Sequence, residues 1–155
     1  MTVIDDLFSL RGRTALVTGG SSGIGYAMAE AIAGAGARTV LLARRQEALR
    51  AAVGRIGEHG GEAYAVSADI TDRARLAGAA EEAVALVGEI DILVNCAANM
   101  FRPPLTEQTT AQWDALWAPV WTSGEAATHD SLADCCEIGV SHLPNYLLEC
   151  RVCCI

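Results

Sequence analysis

Along residues 14–95, short apolar runs alternate with longer segments in which apolar residues recur every three or four positions, the pattern of strands alternating with helices. "TALV" (14–17) predicts a first strand. Ile24, Ala27, Met28, Ala31 and Ile32 then share one face of a predicted helix, which the glycines at 34 and 36 would end. "TVLLA" (39–43) predicts a second strand, and Leu49, Val53 and Ile56 mark the next helix, closed by "HGG" at 59–61. "AYAVSA" (63–68) predicts a third strand. "DITD" follows it, offering Thr71 or Asp72 as the N-cap of an alanine-rich helix running to about Val87. A fourth strand is expected at "IDILVN" (90–95).

Strands this apolar need cover on both faces, which helical crossovers over a parallel sheet provide. The expected class is therefore α/β, with right-handed crossovers. After "FRPPLTEQTTAQWDALW" (101–117) the alternation stops. From Pro119 the chain reads "PVWTSGEAATHDSLADCCEIGVSHLPNYLLECRVCCI", without strand-helix rhythm and with a shift in Cys, His and Trp usage. The expected organisation is one unit over 1–117 and an aberrant tail over 118–155.

Composition narrows the class. A chain of 155 residues suits one domain, which at this size buries roughly two-thirds of the surface its unfolded form exposes. Hydrophobic residues at 52% and charged residues at 19% exclude a disordered composition. The formal net charge of -8 argues against nucleic acid as a partner, because counterion release needs clustered Lys and Arg. The lead "MTVIDDLFSL" lacks the basic and apolar regions of a signal peptide, and no run reaches the ~18 apolar residues of a membrane span. A cytoplasmic protein without membrane contact is expected. Cys96 stands apart from Cys135, Cys136, Cys150, Cys153 and Cys154, which crowd the end, whereas a secreted disulfide scaffold spreads its cysteines through the body. All eleven basic residues are arginine, so the chain contains no lysine.

The first candidate chemistry lies in "TGGSSGIG" (18–25), between the first strand and its helix. Gly19, Gly23 and Gly25 let the backbone turn tightly and approach a pyrophosphate without intervening Cβ atoms. The helix N-terminus behind them offers free N–H groups and a positive dipole end, and Ser21 and Ser22 add hydroxyl donors. An ordinary turn is the alternative, but the strand before and the helix after meet the structural condition for a dinucleotide site.

The pattern Thr-Gly-x3-Gly-Ile-Gly resembles the cofactor motif of the short-chain dehydrogenases/reductases. Asp69-Ile70 after the third strand stands where that family contacts the adenine, and "NCAA" (95–98) stands where it usually has Asn-Asn-Ala-Gly or Asn-Ala-Ala-Gly. The resemblance spans about Leu7 to Trp117. The lead "LFSLRGRTALVTG" together with "RPPLTEQTTAQWD" is most similar to the gluconate 5-dehydrogenase and 2-deoxygluconate dehydrogenase branch. It implies a Rossmann-type doubly wound parallel sheet, here truncated after about four strands in the order 3-2-1-4. It also implies that Gly19, Ser21, Ser22, Gly23, Ile24, Gly25, Asp69, Ile70, Asn95 and Ala97 serve the cofactor, Asn95 largely in a structural role. Charge bears on which cofactor. An acidic residue about 20 positions past the glycines would bind the ribose hydroxyls of NAD. That region instead reads Ala43-Arg44-Arg45, and the planar fork of Arg44 suits a 2′-phosphate, so NADP is expected over NAD. The alternative makes both arginines solvated residues at a helix start.

The family transfers hydride between NAD(P)(H) and a carbonyl or alcohol, with Ser, Tyr and Lys as its reactive side chains. A tyrosine with an ordinary pKa near 10 exchanges a proton near neutrality only if an adjacent ammonium favours its phenolate. Without lysine this Tyr-x3-Lys pair is missing. Tyr146 has Cys150 at i+4, and Arg151 at i+5 points about 100° past that i+4 position around a helix. No catalytic residue is assigned, and this chain is expected to be catalytically incompetent, a cofactor-binding part whose homo-oligomer contacts are mostly lost. A poorly folding truncated or frame-shifted product is the alternative. Zinc held by His129, Cys135, Cys136, His142, Cys150 and Cys153 is a minor one, and their spacing fits no established motif, so no metal site is assigned.

Overall fold

The computed structural model describes residues 8–98 and 104–115. Four strands alternate with three helices: β1 (Thr14–Thr18), α1 (Gly23–Gly34), β2 (Arg38–Ala43), α2 (Gln46–Glu58), β3 (Glu62–Ser67), α3 (Arg73–Val87) and β4 (Ile92–Asn95). A 3-10 turn at Leu105–Glu107 precedes a helix described over 110–115. The strands form one parallel sheet in the order β3-β2-β1-β4, the order expected from the sequence. The change of pattern after residue 117, Tyr146 and the Cys and His residues of the tail lie outside the described residues.

Side-chain alternation divides the strands between two cores. Leu16, Val40, Leu42 and Val66 pack beneath α3 with Leu76, Ala79, Ala83 and Val87. Val17, Leu41 and Val94 face the other way, against Ala29 and Ala33 of α1 and Leu49, Ala52 and Ile56 of α2. Both faces of the sheet are therefore covered, which is why β1 and β2 tolerate near-continuous apolar sequence.

The helix faces differ in detail from the periodic reading. In α1 the buried stripe is Gly25, Ala29 and Ala33, with Met28 and Ile32 half-buried beside it and Ile24, Ala27 and Ala31 exposed. Residues with little or no side chain let this helix lie close against the sheet, and the bulkier apolar groups flank the contact. In α2, Ala52 takes the fully buried position, and Val53 is only partly covered. Asp72, and not Thr71, caps α3, its side chain accepting from the Arg75 N–H at 3.1 Å.

The fourth strand proper is Ile92–Asn95, two residues later than its apolar run, although the Asp91 N–H already reaches the Thr14 carbonyl of β1 at 3.1 Å. Ile90 is buried in the core beneath α3. The Asp91 carboxylate accepts from the Thr14 N–H at 2.8 Å and from Arg13 Nη1 at 2.9 Å. Thr14 Oγ1 donates to the Glu89 carbonyl and accepts from the Asp91 N–H. The ladder proper then runs from Ala15↔Ile92 to Thr18↔Asn95. Among the described residues, no helix is long and apolar enough to cross a membrane.

Candidate functional site

The C-terminal ends of the four parallel strands open on one cleft of about 540 Å³, within the usual range for a small-molecule site. Its wall is built from four separate segments: Gly19 and Ser21 to Gly25 of the glycine turn, Leu42 to Arg45 at the end of β2, Ala68 to Thr71 after β3, and Cys96 to Ala98 after β4. The chain leaves β1 toward β2 on one side and returns through β4 on the other, so the cleft stands at the point where strand order reverses.

Two glycines make the turn possible. Gly19 has φ +71, a conformation that strains any residue with a Cβ, and a Cβ there would meet the Ala97 Cα at 2.9 Å. A Cβ on Gly25 would sit 2.4 Å from the Gly19 carbonyl oxygen, so the start of α1 packs directly on the turn that precedes it. Thr18 braces the opposite wall: its Oγ1 accepts from the N–H groups of Cys96 and Ala97 at 3.0 and 3.2 Å.

The electrostatics of the helix start are simple. Ser22 occupies the N-cap of α1 but makes no side-chain capping bond, and no acidic residue lies in the first turn. Among the described residues, neither a capping side chain nor a first-turn acid thus offsets the positive end of the helix dipole at the cleft wall, where an anion is favoured. Arg44 and Arg45 are exposed and line the same cleft; Arg45 is also the N-cap of α2, so a place at a helix start and a place in the cleft coexist. Asp69 is the acid in this lining. Hydrogen bonds from the Thr71 N–H at 2.9 Å and the Thr71 hydroxyl at 2.7 Å hold its carboxyl below the usual carboxylate range, with the nearby Arg44 charge adding to the effect. Asp69 thereby fixes its own turn, and the helix cap falls to Asp72.

Of the residues singled out from sequence, Gly19, Ser21, Ser22, Gly23, Ile24, Gly25, Arg44, Asp69, Ile70 and Ala97 share this cleft. Asn95 pairs with Thr18 at the end of β4 and lies outside the lining. Sequence reasoning passed over Arg45, Cys96 and the bracing role of Thr18. Thr18 was visible only as the first letter of the glycine motif, since its partners are 78 and 79 residues away.

The cradle therefore fits a dinucleotide: an uncompensated helix start for phosphates, a close backbone approach, and two cations at the end of β2. Among the described residues no cluster of His, Cys, Asp and Glu is arranged to hold a metal ion.

A short chain dehydrogenase family model matches residues 13–124. Gluconate 5-dehydrogenase of Gluconobacter oxydans is 40% identical over 111 residues, covering 72% of this chain and 43% of that protein. Sorbitol dehydrogenase of Cereibacter sphaeroides is 41% identical over 109 residues, covering 70% and 41%. Among solved structures, a 3-oxoacyl (acyl-carrier-protein) reductase from Agrobacterium tumefaciens C58 with NADP bound superposes with a TM-score of 0.76 at 33% identity, covering 87% of this chain and 52% of that one. L-Sorbose reductase from Gluconobacter frateurii, complexed with NADPH and L-sorbose, gives 0.73 at 29% identity, covering 83% and 49%. The chain spans less than half the length of these curated relatives and about half of these solved chains.

Proposed function

The chain belongs to the short chain dehydrogenase family, whose model matches residues 13–124, and on that premise we propose that residues 1–117 are an NADP-binding Rossmann unit, with 118–155 a tail that the match enters by seven residues. The observation that carries the reading is the α1 N-terminus, which has neither a capping side chain nor an acidic first turn, in one cleft with the Arg44 and Arg45 cations. The N–H groups behind Gly23 and Gly25 and the hydroxyls of Ser21 and Ser22 would hold the pyrophosphate. Arg44 would take the 2′-phosphate through its planar fork. Asp69 and Ile70 would face the adenine, and Ala97 would approach the nicotinamide end, with Asn95 supporting that wall. Solved relatives that carry NADP or NADPH support the choice of the phosphorylated cofactor.

A bound nicotinamide supplies or accepts the hydride in this family's exchange between carbonyls and alcohols. The 155 residues contain no lysine to favour the phenolate of a proton-donating tyrosine. The proposed function of this chain is therefore cofactor binding without turnover. Calorimetric titration of the full chain tests it: NADPH should bind with a sub-millimolar Kd, more tightly than NADH, and Arg44→Ala should remove the difference. No heat with either nucleotide would refute the binding. NADPH oxidation above background with a panel of keto-sugars would refute the lack of turnover.

A further inference from the structure

We infer that Ser67 is a positioning residue for Arg44, and through it for discrimination between phosphorylated and unphosphorylated dinucleotides; the inference rests on the NADP reading above. Ser67 ends β3 and stands in register with Ala43, the last residue of β2. The backbone ladder makes its last link there, from the Ala68 N–H to the Ala43 carbonyl at 3.1 Å. The Ser67 hydroxyl carries the pairing one residue further, donating to the Arg44 carbonyl at 3.2 Å.

Ser67 is itself held from the other side. Its carbonyl accepts from Arg75 Nη2 at 2.8 Å, and the same nitrogen lies 3.1 Å from Glu82 Oε2. Arg75 sits in the first turn of α3, its own N–H on the Asp72 cap. A continuous set of polar contacts therefore runs from α3 through the end of β3 to the main chain of Arg44. Arg44 lines the cleft, and neither Ser67 nor Arg75 does. The hydroxyl thus acts on a ligand only through where it holds the Arg44 backbone. Fixing that backbone before binding removes ordering that a loose arginine would undergo at the moment of contact, the usual gain from preorganisation.

The test is a double-mutant cycle on the full chain, titrated with NADPH and with NADH. Ser67→Ala should raise the Kd for NADPH about three- to tenfold, the range one hydrogen bond commands, and leave that for NADH unchanged. Ser67→Thr, which keeps a hydroxyl, should restore NADPH binding. In an Arg44→Ala background, Ser67→Ala should have no further effect, because the residue through which it acts is gone. Equal losses for both nucleotides, or full additivity in the double variant, would show a merely structural role and overturn the inference. If Arg44→Ala weakens NADPH but Ser67→Ala does not, the positioning role alone falls. If Arg44→Ala leaves NADPH binding untouched, the cofactor reading falls and takes Ser67 with it.

Discussion

Thr18 and Cys96 are joined by a hydrogen bond of 3.0 Å from the Cys96 N–H to the Thr18 hydroxyl oxygen, which also receives the Ala97 N–H at 3.2 Å. One buried side chain at the end of β1 thus holds two consecutive backbone donors in the loop after β4. Thr18→Val keeps the shape and removes the acceptor. Denaturant unfolding should show a loss of about 1–3 kcal/mol, the order expected when two part-buried N–H donors lose their acceptor. Thr18→Ser should recover most of it. A stability equal to wild type in Thr18→Val would mean the two N–H groups have other acceptors.

Gly25→Ala should be more damaging than its size suggests. The added methyl meets the Gly19 carbonyl at 2.4 Å, and backbone, not a flexible side chain, must yield. Overpacking of this kind costs typically about 1–3 kcal/mol, and here the displacement falls on the turn proposed to hold the pyrophosphate. The thermal midpoint and the NADPH affinity should drop together. Unchanged affinity would show that the helix start can shift without disturbing the cleft.

The pH dependence of stability should carry the mark of Asp91. Its carboxyl is held below the usual range first by the Thr14 N–H and then by Arg13 and the Thr14 hydroxyl. A depressed folded pKa means the unfolded chain binds the proton first. The contribution is therefore complete above the unfolded value of about 4 and is lost as pH falls through the lower folded value. Asp91→Asn should lower stability at neutral pH by about 1–3 kcal/mol, as expected for losing hydrogen bonds to a charged acceptor, and should flatten the acid limb. Added salt should matter little, because Arg13 is more than half exposed and such ion pairs contribute little. An acid limb identical in the variant would assign it to other carboxylates.

Ile24 is 65% exposed at the start of α1, an apolar residue at the cleft wall with little to gain from the protein alone. Ile24→Ser should leave the thermal midpoint nearly unchanged. It should weaken NADPH about three- to tenfold, the order expected for losing partial burial of one aliphatic side chain under a ligand. A large drop in stability with unchanged affinity would assign Ile24 to the fold instead.

What could be read from the residues follows the range of each interaction. The strands and helices were legible because their apolar spacing is local, and Gly19 and Gly25 because their backbone demands are local too. The place of Arg44 in the cleft follows from its distance past the glycines. The bracing by Thr18 was not legible, since it depends on β1 and β4 lying side by side in a particular register. The face of α1 was misread for a related reason. Periodicity weighs large apolar residues, while close approach to the sheet selects Gly25, Ala29 and Ala33. The clip made by Ser67 needed both β2–β3 register and the reach of Arg75, neither of which a linear pattern contains.

The seam between β1 and β4 is pinned at both of its ends by side chains, Asp91 on Thr14 at one and Thr18 on the Cys96 and Ala97 amides at the other. Sliding β4 by a single residue would break both sets at once and turn Val94 out of its core. The two strands accordingly behave as a fixed gauge. The gap between the glycine turn and the loop after β4 is set by alignment along the sheet.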